Sequence, residues 1–297
     1  MEKILITGGL GHIGSKLSEN LKGYEITIVD NFFTQRYCSI FNKPKNVTII
    51  EQDFSKLDVK FLNKFSIVIH LAAITDAASS FSKEDEVLNV NVIKTKEFIN
   101  KVEKSKVKLF IFPSSTSVYG VSSLIVDEED EKYLNPQSPY ATSKIEIEKY
   151  LTTKKMNYVV LRLGTIFGIS KGMRFHTAIN KFCYQAVMEQ PLTIWKQNYN
   201  QKRPYLGLGD LNNALDIIIK NKKSWNKVYN VLTGNYTPKE ILAIIKQITS
   251  IKIKFVNTPL LNQHNYEVSQ EKIKKLGFKS KDNLTKEIVK TLKMLGK

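Results

Sequence analysis

Three glycines spaced by three, Gly8, Gly11 and Gly14, follow the apolar run Ile4-Leu5-Ile6-Thr7 and precede a helical pattern from Ile13 to Leu21. A glycine-rich turn between a strand and a helix lets backbone N–H groups face a phosphate, and the helix N-terminus adds partial positive charge there. It also brings the chain close to a pyrophosphate, with Gly8, Gly11, His12, Ile13 and Gly14 forming the cradle. The same spacing serves a tight turn that binds nothing, so the next strand matters. Glu25–Val29 ends in Asp30, sixteen residues after Gly14. An acidic side chain at that tip accepts hydrogen bonds from both ribose hydroxyls of an adenosine. It repels a 2′-phosphate, and Asn31, Phe32 and Phe33 bring no cation; the nearest is Arg36. The expected cofactor is NAD rather than NADP.

The alternation continues. Short apolar runs, mostly with β-branched residues, predict strands at Lys3–Thr7, Glu25–Asp30, Val47–Gln52, Ser66–His70, Lys108–Phe112 and Tyr158–Leu163. Helical patterns lie at His12–Leu21, Leu57–Phe65, Asp85–Lys104 and Ser138–Thr153. This order predicts an α/β fold with a doubly wound parallel sheet. The alternation loosens after Gly168, with no clean boundary. Asp53-Phe54 follows the third strand: its carboxylate either accepts from an adenine amino group or caps a helix. Leu71-Ala72-Ala73 follows the fourth, where small residues leave room for a cofactor or pack closely.

Composition narrows the classes. No apolar run approaches the roughly 20 residues of a membrane span, and the chain starts directly into a strand, so neither membrane insertion nor a signal peptide is expected. Cys38 and Cys183, far apart, suit a reducing cytoplasm and no disulfide framework. His12, His70, His176 and His264 show no zinc-ligand spacing, so no metal is expected. The net charge of +17 invites a nucleic-acid reading, but only four of the 45 basic residues are arginine (Arg36, Arg162, Arg174, Arg203). Scattered lysines read as solvated faces, and no nucleic-acid partner is expected. They still draw in an anionic substrate.

The chemistry gathers further on. Pro113-Ser114-Ser115-Thr116-Ser117-Val118-Tyr119-Gly120 follows the fifth strand, and Ser138-Pro139-Tyr140-Ala141-Thr142-Ser143-Lys144 opens a helix. Tyr140 and Lys144, four apart, share a helix face. An ammonium beside a phenol stabilises the phenolate and lowers its pKa, so that Tyr140 serves as a general base towards a substrate hydroxyl. Ser115 is placed to hydrogen-bond the same oxygen.

Taken together, in this order, these residues resemble the NAD-dependent epimerase/dehydratase family of the extended short-chain dehydrogenase/reductase superfamily, and most of all its nucleotide-sugar 4-epimerases. The resemblance covers nearly the whole chain and is strongest over residues 3–168. It implies a Rossmann-type domain for NAD (1–168 plus about 206–232) and a smaller C-terminal α/β substrate domain (169–205 plus 233–297). It carries the roles of catalytic triad onto Ser115, Tyr140 and Lys144. It places Gly8, Gly11, His12, Ile13, Gly14, Asp30, Asn31, Asp53, Phe54, Leu71, Ala72, Ala73 and Asn91 at the cofactor, with Tyr140 and Lys144 against it. In the implied reaction Tyr140 takes a hydroxyl proton while hydride passes from C4 to NAD; the keto sugar turns over, and hydride returns to the opposite face. A homodimer through the helices around 85–104 and 138–153 is implied as well.

Members that dehydrate a sugar carry Asp-Glu after the catalytic hydroxyl residue. Thr116-Ser117 stand here, which argues against dehydration. Gln201-Lys202-Arg203-Pro204-Tyr205 resembles the segment whose arginine binds the nucleotide diphosphate, which makes Arg203 the expected substrate anchor. Thr75, Ser115, Arg174 and His176 are the other substrate candidates. Arg162, at the end of a buried strand, and Asp210 read as structural. Three positions depart from the family: Thr165 and Lys94 stand where asparagine and glycine are usual, and Leu261–Tyr266 lacks a second phosphate-binding arginine. Two alternatives remain: a dehydrogenase or ketoreductase that releases or uses a keto sugar, and an NAD-binding sensor or scaffold without catalysis.

Overall fold

Strands covered on both faces need apolar side chains at every position. Ile4-Leu5-Ile6, Ile67-Val68-Ile69 and Leu109-Phe110-Ile111 are buried throughout. The structure, a computed structural model, describes residues 1–77, 79–120, 125–257 and 266–297. Its first half runs β1 (Lys3–Thr7), α1 (His12–Asn20), β2 (Glu25–Asp30), β3 (Val47–Glu51), α2 (Val59–Leu62), β4 (Ile67–His70), α3 (Glu84–Val87), α4 (Thr95–Glu103), β5 (Leu109–Ser115), β6 (Ile125–Val126), α5 (Pro139–Thr152), β7 (Tyr158–Leu163) and β8 (Thr165–Phe167). The remainder carries α6 (Ala178–Val187), β9 (Leu192–Trp195), β10 (Arg203–Gly207), α7 (Leu208–Lys220), β11 (Lys227–Val231), β12 (Gly234–Tyr236), α8 (Pro238–Ile248), β13 (Ile253–Val256), β14 (Glu267–Val268), α9 (Glu271–Lys274) and α10 (Leu284–Met294).

Seven parallel strands form the main sheet in the order β11-β7-β5-β4-β1-β2-β3. The winding reverses between β1 and β4, where Thr7 lies level with His70. Ligands of such sheets bind outside the carboxyl ends of the strands at this reversal. Side-chain alternation splits the sheet between two cores. Ile4, Ile6, Ile69 and Ile111 pack with Leu17 of α1 and Leu211 and Leu215 of α7. Leu5, Val68, Phe110 and Val160 pack with Phe98 of α4 and Ile147 and Leu151 of α5. Each such side chain contributes about 1.5–3 kcal/mol.

A third core joins Phe182 and Cys183 of α6, Ile241 and Ile245 of α8, and Ile288 and Leu292 of α10. Beside it lie the three-stranded sheet β12-β10-β8 and the pairs β13-β9 and β14-β6. Asp210, fully buried near the start of α7, accepts from the Thr233 hydroxyl at 2.6 Å and from the backbone of Lys281 at 2.6 Å and Asp282 at 3.2 Å. It fastens the C-terminal segment to the sheet, as its structural reading expects.

The predicted elements shift where side chains outside the periodic pattern intervene. The helix expected over Asp85–Lys104 is divided by a π-helical stretch, Leu88–Lys94. There the Thr95 hydroxyl donates to the Val90 carbonyl five residues back, at 3.0 Å. Leu57–Phe65 shrinks to one turn capped by Asp58, which accepts from Phe61 N–H at 2.7 Å. The fifth strand runs on to Ser115 because it pairs with β7 as far as Leu163. Helix α6 begins only at Ala178, and residues 170–174 cross the glycine turn. Ser138 caps α5 by accepting from Ala141 N–H at 3.2 Å, with Pro139 in the first turn. That cap sets the phase that turns Tyr140 and Lys144 inward.

Candidate functional site

A cavity of about 920 Å³ opens at the β1/β4 reversal and runs from Asp30 and Asp53 past Tyr140 to Arg203 and Tyr266. The glycine turn forms its floor. Gly8 adopts φ +67°, and a Cβ there would lie 2.6 Å from the Ala72 backbone. A Cβ on Gly14 would lie 2.5 Å from Gly9 Cα, whereas one on Gly11 would meet only the Gly8 carbonyl, at 3.4 Å. Gly8 and Gly14 are thus fixed by the closeness of β4 and of the turn itself, and Gly11 faces the cavity at the N-terminus of α1. That arrangement fits a bound pyrophosphate. Asp30 accepts from Leu10 N–H at 3.0 Å and Phe32 N–H at 2.9 Å, which holds its carboxylate at the rim with lone pairs to spare. An adenosine ribose fits there.

Asp53 has both its expected uses narrowed. It caps the following turn, accepting from Ser55 N–H at 2.9 Å, and its other oxygen pairs with Lys94 at 2.9 Å. Burial pushes this carboxyl up, but the Lys94 and Ser55 hydrogen bonds outweigh it and hold the pKa below the usual value. His12, Ile13, Asn31, Phe54, Leu71, Ala72 and Ala73 also line the cavity. Asn91 stands behind the wall instead. Its amide accepts from Ile74 N–H at 2.8 Å and donates to the Ile74 carbonyl at 2.9 Å and the Ser143 hydroxyl at 3.2 Å. It shapes the segment after β4 through these bonds.

At the centre, the Ser115 hydroxyl accepts from Ser117 N–H at 3.1 Å and lies beside the Tyr140 phenol, which it helps to ionise. Lys144, 5% exposed, donates to the Pro113 carbonyl at 2.8 Å, with its ammonium 5.7 Å from the centre of the Tyr140 ring. Burial pulls the ammonium down to about 8, against the pull of Glu148. The phenol is raised by burial, with Arg174 and the Ser115 hydrogen bond opposing. Helical spacing pointed to Lys144 as the charge that lowers the phenol; Arg174 is a second charge pulling the same way. The signal available in the sequence was the scarcity of arginine.

Arg174 donates to the Thr75 hydroxyl. Its Nε is covered and without a hydrogen-bond partner, and burial lowers the guanidinium to about 10. His176 follows two residues on, lowered to about 4 by partial enclosure of its ring and by Arg174. Arg203, at the far end, stacks over the Tyr266 ring at 6.0 Å. Thr75, Ser115, Arg174, His176 and Arg203 all line the one cavity. Leu261–Asn265, including His264, lie outside the described residues. Thr116 turns inward to the Leu163 carbonyl at 3.3 Å, whereas the Ser117 hydroxyl is buried without a partner. Among the described residues no cluster of His, Cys, Asp and Glu could hold a metal, and no helix is long and apolar enough to cross a membrane.

Residues 170–174 form a strap over the turn. His12 Nδ1 meets the Ser170 hydroxyl at 2.7 Å, Gly172 N–H donates to the Ser15 hydroxyl at 3.0 Å, and Arg36 donates to the carbonyls of Gly172 at 2.9 Å and Met173 at 2.6 Å. A Cβ on Gly172 would strike the Leu10 carbonyl. Arg36 is thus engaged with the strap. The strap buries His12, while His70 is enclosed by Phe54, Phe98, Phe110 and Phe112 and bonded to the Thr7 hydroxyl at 2.7 Å. Burial lowers both imidazoles from 6.5 to about 3, so they stay neutral when folded. Below pH 6.5 the unfolded chain binds protons that the folded chain refuses. Stability therefore falls as pH drops from 6.5 towards 3, by up to about 1.4 kcal/mol per pH unit for each histidine. His176, lowered to about 4, adds to the slope above that pH; urea titrations across that range are expected to show it, and His70→Leu to remove about a third of it between pH 6.5 and 4.

The family model of the NAD-dependent epimerase/dehydratase family matches residues 4–231. A dTDP-D-glucose 4,6-dehydratase of Dictyostelium discoideum is 30% identical over 85% of this chain; the chain spans 63% of that relative's length. A putative UDP-glucose 4-epimerase of Methanocaldococcus jannaschii is 28% identical over 82% of this chain and 81% of its own. The crystal structure of a UDP-glucuronic acid 4-epimerase from Bacillus cereus, in complex with UDP-glucuronic acid and NAD, superposes with a TM-score of 0.89 at 23% identity, covering 99% of this chain and 98% of that one.

Proposed function

Because the chain belongs to the NAD-dependent epimerase/dehydratase family, we propose that it is a nucleotide-sugar 4-epimerase. The observation that carries the choice within the family is Ser115-Thr116-Ser117: the two residues after the hydroxyl that meets Tyr140 have no carboxyl group to expel water. The M. jannaschii relative and the B. cereus neighbour are named as 4-epimerases, which supports the same reading.

The roles follow from position. Gly11 and the α1 N-terminus hold the pyrophosphate, and Asp30 takes the adenosine ribose. Bound NAD accepts a hydride from C4 of the sugar and returns it. Tyr140 removes the C4 hydroxyl proton and gives it back, with Ser115 holding the oxygen in line. Lys144 and Arg174 supply the positive charge that makes the phenolate accessible. Arg203 grips the diphosphate, while Thr75, Arg174 and His176 surround the hexose. The NAD-binding unit is residues 1–168 with about 206–232, and the substrate unit is 169–205 with 233–297. Leu88 and Ile93, each 48% exposed on the segment around 85–104, support a homodimer through that face.

Two measurements test this together. The purified protein is denatured and its released cofactor identified; the native protein is incubated, without added cofactor, with UDP-glucose, UDP-glucuronic acid, UDP-N-acetylglucosamine and dTDP-glucose. The expected result is NAD bound near one per chain and conversion of one sugar to its C4 epimer. Accumulation of a keto sugar with NADH would make it a dehydrogenase. A 4-keto-6-deoxy product would make it a dehydratase despite Thr116-Ser117. Absence of NAD would overturn the reading of the glycine turn.

A further inference from the structure

Helix α5 carries a third ionisable residue on the face that holds Tyr140 and Lys144: Glu148, four residues beyond the lysine and 4% exposed. Its carboxylate is held from two other elements. Arg162 of β7 donates to it in a fork, Nη2 to Oε2 at 2.7 Å and Nε to Oε2 at 3.1 Å. Ser114 of β5, next to Ser115, donates to Oε1. Arg162 is itself steadied by the Tyr119 hydroxyl at 2.8 Å, which donates to Asn230 at 2.9 Å. One carboxylate thus joins the helix bearing Tyr140 and Lys144 to the strand end bearing Ser115. The titratable groups against Lys144 are Tyr140 and Glu148 on its own helix and His70 on β4, which is neutral.

We propose that Glu148 is a positioning residue, which fixes the Ser115 strand end relative to Tyr140 and provides the counter-charge for the Lys144 ammonium. This rests on the roles assigned to Tyr140 and Lys144 above. Surface packing needs no ion pair here: buried pairs are often no more stabilising than apolar side chains of the same volume. The fork instead fixes a direction, since a guanidinium holds a carboxylate in plane. Removing the carboxylate charge takes away the charge that opposes burial at the Lys144 ammonium. The lysine then releases its proton more easily.

The test compares Glu148→Gln, Glu148→Asp and Tyr140→Phe with the unaltered protein, each as the NAD-loaded full chain. Activity is followed across pH on whichever of the four sugar nucleotides is converted. In Glu148→Gln the alkaline limb of the kcat profile is expected to move down by about one pH unit. Its kcat falls about tenfold with KM unchanged. Glu148→Asp keeps the charge but shortens the tie, so the alkaline limb returns to its place while kcat stays at least threefold low, on the order expected for a displaced strand end. An unaltered alkaline limb and an unaltered kcat in Glu148→Gln would overturn the proposal. If Glu148→Gln fails to fold, Glu148→Asp decides alone, and a kcat equal to that of the unaltered protein would overturn it. Full activity in Tyr140→Phe would instead remove the reading on which the inference stands.

Discussion

Tyr140→Phe is expected to lower turnover by on the order of 10³-fold while NAD remains bound. The substitution takes away one oxygen. The ring still fills its place beside Ser115 and under the Lys144 ammonium, 5.7 Å from its centre, so the cavity keeps its shape. What is lost is the oxygen proposed to exchange a proton with the sugar hydroxyl. Cofactor contacts assigned to the glycine turn and Asp30 lie elsewhere and are untouched. Measuring turnover and NAD content on the same preparation separates the outcomes. Loss of both would mean that the phenol holds the cofactor. Retention of both would favour a binding protein over an enzyme.

Gly8→Ala is expected to cost about 4 kcal/mol of stability, read as the denaturation midpoint in urea. Two independent effects add. The residue sits at φ +67°, a conformation that costs an L side chain about 1–3 kcal/mol. The new methyl would also lie 2.6 Å from the Ala72 backbone, and overpacking of that kind costs about 1–3 kcal/mol more. Because the obstruction is protein backbone, the loss is expected with or without cofactor. Gly11→Ala is the contrasting variant. Its methyl meets only the Gly8 carbonyl at 3.4 Å, so stability is largely retained, and the effect falls on NAD content.

The strands of the main sheet were legible because each is a short unbroken apolar run; β1, β2 and β7 start and end where the pattern places them. Helix boundaries were legible where a cap is local, as at Ser138-Pro139. They were not where the deciding partner is remote. Nothing near Asn91 in the chain reveals that it will bind Ile74 and Ser143, nor that the helix will loosen around it. Tyr140 and Lys144 could be found by spacing, since helical geometry is local. The position of Arg174 against the phenol could not, because a strap between two structural elements puts it there. Glu148 was overlooked for a related reason: an acid in a helix reads as a solvated face until the strand beneath it supplies an arginine. The β12-β10-β8 sheet, built from strands of three to five residues, left too little periodicity to read.

The strap over the glycine turn bears on residence time. Ser170, Gly172 and Met173 are latched to His12, Ser15 and Arg36, two residues of the first helix and one of the loop after the second strand. None of the latches can close until those parts have formed. A dinucleotide lying in the turn would be enclosed as the chain matures, as a prosthetic group is, and would leave only when several bonds open together. Its dwell time would then be set by a local unfolding event rather than by its affinity. For a reaction that restores its own oxidant in every cycle, such confinement carries no kinetic penalty. A catalyst that had to trade spent coenzyme for fresh after each turnover could not tolerate it.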